Sequence, residues 1–151
     1  MKKGFTMVEM VMVIAVLGIL STIAIPKMIG NVEMAEVSSG LDILQTVRSA
    51  ISTERNRRVV SGDFTPITTL SAGGKPFDYF NENSRGKKNK ILSYPLPSCN
   101  KSGCWEVVTS TGIDSKSKEL YIFHYGENKT CTFFLQDNYF IGDCPILKSY
   151  L

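Results

Sequence analysis

MKKGFTMVEMVMVIAVLGILSTIAIPK, residues 1–27, is the stretch on which the architecture turns. From Phe5 to Ile25 the chain is apolar apart from Thr6, Glu9, Ser21 and Thr22, with Gly18 inside the run. Its 21 residues match the roughly 20 that an α-helix needs to cross a bilayer. Lys2 and Lys3 stand on its short N-terminal side, and basic residues hold their end of a span in the cytoplasm, so the chain beyond Pro26 is expected outside. An ordinary secretory signal would be cut after the run, near Ala24. Pro26 is a poor neighbour for such a cut, and a helical pattern continues past it. A plain single-pass anchor explains the hydrophobicity but not Glu9.

A carboxyl inside a membrane span costs on the order of 2.5–3.5 kcal/mol near the centre, and less towards an end, so it calls for a partner. Between Phe5 and Pro26 there is no Lys or Arg to supply one. Removal of Met1 to Gly4 would create an amine at Phe5 that does.

Lys3-Gly4-Phe5-Thr6-Met7-Val8-Glu9 ahead of a long apolar run resembles the type III signal of type IV prepilins and pseudopilins. The resemblance covers about residues 1–30. It implies cleavage between Gly4 and Phe5 by a membrane prepilin peptidase, N-methylation of Phe5, and a Glu9 carboxylate that meets the N-terminal amine of a neighbouring subunit. Gly18 and Pro26 fall where many pilins carry a helix-loosening Gly and a kinking Pro. Implied partners are other pilins in a homo- or hetero-oligomeric filament, an inner-membrane assembly platform and the lipid bilayer. The implied location is the inner membrane, N-terminus cytoplasmic and C-terminal domain periplasmic, then a filament. A pilus subunit is the leading expectation. The alternatives are a type II secretion pseudopilin, although an Asp-Pro-Trp-Gly type of motif is lacking, and a DNA-binding pilin of an uptake system.

From Lys27 to about Arg58, Met34, Val37, Leu41, Leu44, Val47 and Ile51 recur at spacings of three and four, one face of a helix. Phe5 to Arg58 therefore reads as one helix, roughly 80 Å long at about 1.5 Å per residue, expected to kink at Pro26 and weaken at Gly30 and Gly40. Its second half suits a sheet or, as a rival, a short coiled coil. Beyond Arg58 the segments 61–63, 72–74 and 81–89 read as irregular connection. Trp105–Thr109, Leu120–Tyr125 and Thr130–Gln136 read as strands, the last two a hairpin across Gly126 to Lys129. Leu120 and Ile122 lie on one face of their strand and Tyr121, Phe123 and Tyr125 on the other, so both faces need covering. The fold class expected is α+β: a long N-terminal helix on a C-terminal antiparallel sheet, divided into a leader 1–4, an apolar helical half 5–30, an amphipathic half 31–58 and a β domain 59–151.

Cys99, Cys104, Cys131 and Cys144 are an even set in the C-terminal third, suited to an oxidising compartment. Pairing Cys99 with Cys104 and Cys131 with Cys144 closes two short loops, each worth roughly 2–3 kcal/mol by loop entropy; the other two connectivities stay open. The C-terminal placement resembles the disulfide loop of many type IV pilins. Cys-x4-Cys and Cys-x12-Cys lack the close-spaced pairs of structural zinc sites, so no metal or cofactor is expected. One histidine, His124, inside a strand, gives no catalytic constellation. The formal charge is +3, and losing Lys2 and Lys3 leaves 15 basic against 14 acidic side chains, too balanced to hold nucleic acid by net charge. Two local clusters, Arg55, Arg57 and Arg58, and Arg85, Lys87, Lys88 and Lys90, with Tyr79, Phe80 and Tyr94 near the second, are the candidates for DNA phosphate contacts; a solvated surface is the plainer account.

Overall fold

One helix, α1, runs from Met7 to Val60. It belongs to a computed structural model describing residues 4–111 and 117–147, with side chains for all of these except 23–31, 110–111, 117–118 and 147. Met1 to Lys3 of the expected leader thus lie outside the described residues, as does the side chain of Pro26. The chain divides into two compact units, Met1–Ala35 and Glu36–Leu151, so the division falls inside α1.

In the first unit the apolar side chains face outward, with Phe5 76%, Met7 89% and Met12 70% exposed. Among the described residues no helix is long and apolar enough to cross a membrane. The described side chains of the apolar run stop at Thr22, and those of Ile23 to Ile25 lie outside them. Gly18 has open space where a Cβ would stand, so nothing in the unit demands a glycine there. Met34, placed by its spacing on the buried stripe, is 70% exposed; the stripe starts at Val37, where the helix enters the second unit.

In the second unit α1 buries Val37, Leu44, Val47 and Ile51, with Leu41 half-buried beside them. Full burial of such a side chain contributes about 1.5–3 kcal/mol. The helix stops where Gly62 takes a φ of 71°. Asp63 N–H then reaches back to the Arg58 carbonyl at 2.8 Å and Gly62 N–H to that of Val59 at 3.0 Å, the paired bonds of a Schellman cap.

The sheet has four antiparallel strands in chain order: β1 Trp105–Thr111, β2 Ser117–Tyr125, β3 Lys129–Gln136 and β4 Tyr139–Asp143. β4 is an addition to the three strands expected. Asp137 and Asn138, at φ 51° and 64°, form the two-residue connection to it, and positive φ at both positions suits the right-handed twist of a tight hairpin. Tyr121, Phe123 and Tyr125 take the buried face of β2, while Leu120, Ile122 and His124 stand half-buried on the other. His124 Nε2 lies 2.9 Å from a Glu106 carboxylate oxygen across that outer face.

The connection between α1 and β1 is irregular, yet it supplies Ile67, Leu70, Phe77 and Phe80 to the core. Phe77 stacks on Tyr121 with centroids 5.0 Å apart and meets Trp105 edge-on at 4.9 Å. Its φ of 55° is unusual for a bulky residue, and burial among these rings holds it there. Disulfides join Cys99 to Cys104 and Cys131 to Cys144, the second linking β3 to the residue after β4.

Candidate functional site: the start of the long helix

Thr6 is the residue before the first turn of α1, and Glu9 is the third residue of the helix. The Thr6 hydroxyl accepts the Glu9 N–H at 3.3 Å, and Glu9 Oε2 accepts the Thr6 N–H at 2.9 Å and the Thr6 hydroxyl at 2.8 Å. This is a capping box: each residue satisfies a backbone donor that the helix end would leave unpaired. Glu9 also places negative charge in the first turn, where the helix dipole favours it. Sequence reasoning marks Thr6 only as a polar exception in the apolar run, although Thr-x-x-Glu ahead of such a run is the signature of this box. Gly4 and Phe5 precede the box, both exposed.

The basic residues considered for DNA are dispersed in role. Arg58 is 2% exposed, its guanidinium donating to Glu54 at 2.8 Å, to the carbonyls of Thr65 and Pro66 at 3.0 and 3.3 Å, and to that of Asn81 at 2.8 Å. It has no face left for a phosphate. Arg57 pairs with the same Glu54 at 2.8 Å, which holds its already high pKa higher still. Arg85 donates to the Ser61 carbonyl at 3.1 Å, and Lys88 sits 3.7 Å from Glu82. Lys87 and Lys90 are exposed. Arg55 is exposed and lines an open groove of about 520 Å³ between α1 and β4. Of the nearby aromatics Phe80 is core and Tyr79 half-buried, so only Tyr94 presents an open ring.

Carboxylates instead serve the loops. Glu54 is pushed up by burial, but hydrogen bonds from Arg57, Arg58 and Asn89 outweigh this and hold it below the usual glutamate range. Asp63 is held well below the usual aspartate range by the hydroxyl and N–H of Thr65 and by the Ser84 N–H. Glu36 accepts from the Ser102 hydroxyl at 2.6 Å and the Gly126 N–H at 2.9 Å, tying the Cys99–Cys104 loop and the β2–β3 turn to α1, and is lowered for that reason. Tyr121 is raised by burial and by its bond to Glu119. Among the described residues no group of histidine, cysteine, aspartate and glutamate could hold a metal ion.

Comparison with known proteins returns to the helix start. A family model described as a prokaryotic N-terminal methylation motif matches residues 1–25. A fimbrial protein of Moraxella nonliquefaciens is 28% identical, the match covering 60% of this chain and 73% of that protein. A type IV major fimbrial protein FimA of Dichelobacter nodosus is also 28% identical, over 65% of this chain and 66% of its own length. Another FimA from the same organism is 38% identical over 53 residues, about a third of each chain. The chain thus spans from a third to nearly three quarters of these relatives. No solved structure matches it significantly. With its first 25 residues fitting the methylation motif around the Thr6–Glu9 box, and its similarity extending beyond them, the chain carries a prokaryotic N-terminal methylation motif and is similar to type IV fimbrial proteins.

Proposed function

We propose that the protein is a structural subunit, a major or minor pilin, of a type IV pilus-like filament. In this reading the leader is removed between Gly4 and Phe5 by a prepilin peptidase and Phe5 is methylated. The apolar half of α1 then anchors the subunit in the inner membrane until an assembly platform moves it into the filament. The observation that carries the reading is the methylation-motif match over residues 1–25, laid over a helix that opens at Met7 with its apolar side chains turned outward. Side chains so exposed need lipid or other helices around them, and a bundle of like helices supplies the second.

Glu9 gives the bundle a register. Helices sliding in an apolar bundle meet few directional contacts, whereas a carboxylate and a neighbour's N-terminal amine meet at one offset only. Their attraction is strengthened where water is scarce and partly cancelled by desolvation, so the pair specifies alignment more than it adds stability. Glu9→Val should therefore leave membrane insertion and cleavage after Gly4 intact while lowering incorporation; Glu9→Asp, which keeps the charge with a shorter reach, should do less harm. The measurement is the ratio of filament-associated to membrane-pool subunit, with each terminus checked by intact mass. Normal incorporation of Glu9→Val would reject the charge-pair mechanism, and a mature terminus near Ile25 would reject the pilin reading.

A further inference from the structure

We propose that Asn128, in the turn between β2 and β3, is an acceptor for an N-linked saccharide. The inference rests on the reading above in one respect, that the β domain lies on the outer side of the membrane. The triplet Asn-x-Ser/Thr, with x other than proline, marks such acceptors, and the chain holds it twice, as Asn100-Lys101-Ser102 and Asn128-Lys129-Thr130. The donor this chemistry needs is a saccharide carried on a membrane lipid diphosphate. The asparagine carboxamide nitrogen attacks the anomeric carbon and a C–N bond forms. The bond from that carbon to the diphosphate oxygen breaks, the lipid diphosphate leaves and the nitrogen gives up a proton. Recognition of the triplet uses the hydroxyl two residues on, so an acceptor must offer both a free carboxamide and a free hydroxyl.

The two triplets differ in what the fold leaves free. Asn128 and Thr130 are both exposed. Asn128 takes a φ of 59°, a left-handed turn conformation that asparagine tolerates, and the turn makes no use of its carboxamide. Neither that carboxamide nor the Thr130 hydroxyl has a hydrogen-bond partner among the described residues. Asn100 is exposed too, but its triplet is tied down. The Ser102 hydroxyl donates to Glu36 at 2.6 Å, the Cys104 N–H to the Lys101 carbonyl at 3.1 Å and the Gly103 N–H to the His124 carbonyl at 2.8 Å, inside the loop closed by Cys99 and Cys104. Glu36 also accepts the Gly126 N–H at 2.9 Å, so both triplets stand at one end of the same unit. A transferase that reaches one turn reaches the other, and local bonds decide between them.

The test uses the full chain isolated from its native envelope, with peptide mass mapping of the two triplets and of the disulfides in the same sample. The peptide holding Asn128 is expected to carry a saccharide mass. Freeing Ser102 from a charged acceptor disfavours the other triplet, so occupancy at Asn100 is expected at least about tenfold lower. Asn128→Gln and Thr130→Val should each abolish the added mass, and Thr130→Ser should keep it. Glu36→Ala, which releases Ser102, should raise occupancy at Asn100 several-fold. A mass that survives Asn128→Gln would place the saccharide on a hydroxyl and overturn the inference. Equal occupancy of Asn100 and Asn128 in the wild-type chain would overturn the argument from local bonds. Unmodified Asn128 in a chain whose Cys131–Cys144 bond is formed would overturn the inference and leave the filament reading standing. Unmodified Asn128 with all four thiols free would overturn the reading beneath as well, since the domain would not have reached an oxidising compartment.

Discussion

Arg58→Met tests what holds the long irregular connection to the helix. The Arg58 guanidinium is buried and makes four bonds, one to Glu54 and three to loop carbonyls at Thr65, Pro66 and Asn81. Methionine keeps most of the volume and removes every donor. Breaking a buried ion pair by taking out one partner costs about 3–5 kcal/mol. Glu54 retains Arg57 at 2.8 Å and Asn89 at 3.2 Å, which places this case at the lower end. Carbonyls left without a donor add about 1 kcal/mol or more where water cannot enter, so a total of about 4 kcal/mol is expected. Trp105, the sole tryptophan and 2% exposed, reports unfolding of this unit by its fluorescence in urea, with the full chain in mild detergent and the disulfides intact. Glu54→Leu combined with Arg58→Met should be less destabilised than Arg58→Met alone, because the buried carboxylate that has lost one of its cationic partners is gone as well. An Arg58→Met protein within about 1 kcal/mol of wild type, or a double variant worse than the single, would refute the argument.

Acid should destabilise the same unit. Glu54, Glu36 and Asp63 all have folded pKa values below their ordinary ones, so each contributes stability that is present above the unfolded value and lost as pH falls through the folded one. The urea midpoint is expected to be flat from neutrality to about pH 5 and to fall below about pH 4, the ordinary carboxylate range; a midpoint unchanged at pH 3 would contradict the assigned bonds. Gly40 and Gly142 are set by aromatic packing: a Cβ on Gly40 would stand 2.6 Å from the Phe123 ring, and one on Gly142 would collide with the Phe133 ring. Gly142→Ala should cost about 1–3 kcal/mol by overpacking, and Gly40→Ala less, since alanine returns up to about 1 kcal/mol of helix propensity; equal and negligible urea-midpoint shifts for both would show that the rings yield freely.

The helix is legible because its signals are local. A long apolar run followed by residues spaced three and four apart can be read without knowing what covers them, and only the ends differ, falling at Met7 and Val60. Those differences have causes in the caps: Thr6 and Glu9 set one end, and Gly62 at positive φ sets the other. Strand β4 is harder to read. Its five residues include Gly142, which weakens strand propensity, and the Asp137–Asn138 connection lacks the glycine that marks a common two-residue hairpin turn. The glycine that hides the strand from propensity is the one Phe133 requires for its ring.

Local signals do not disclose how the chain between Val60 and Trp105 holds a fixed path. Its composition reads as turns, but Phe77 and Phe80 enter the core beside Tyr121 and Trp105, and Arg58, Asp63 and Asp78 bind its backbone. These bonds join residues up to 23 positions apart, as from Arg58 to Asn81, and no periodicity marks them. The same fact reassigns the basic residues. Read by charge alone, Arg57 and Arg58 look like one surface cluster; read with Glu54 in place, one is an exposed partner of the carboxylate and the other a buried clamp. Charge in a sequence becomes surface only when no buried carboxylate competes for it. Glu9 is the converse case: its companion Thr6 stands three residues away, so the box between them is a local pattern, and the Thr-x-x-Glu spacing alone carries it.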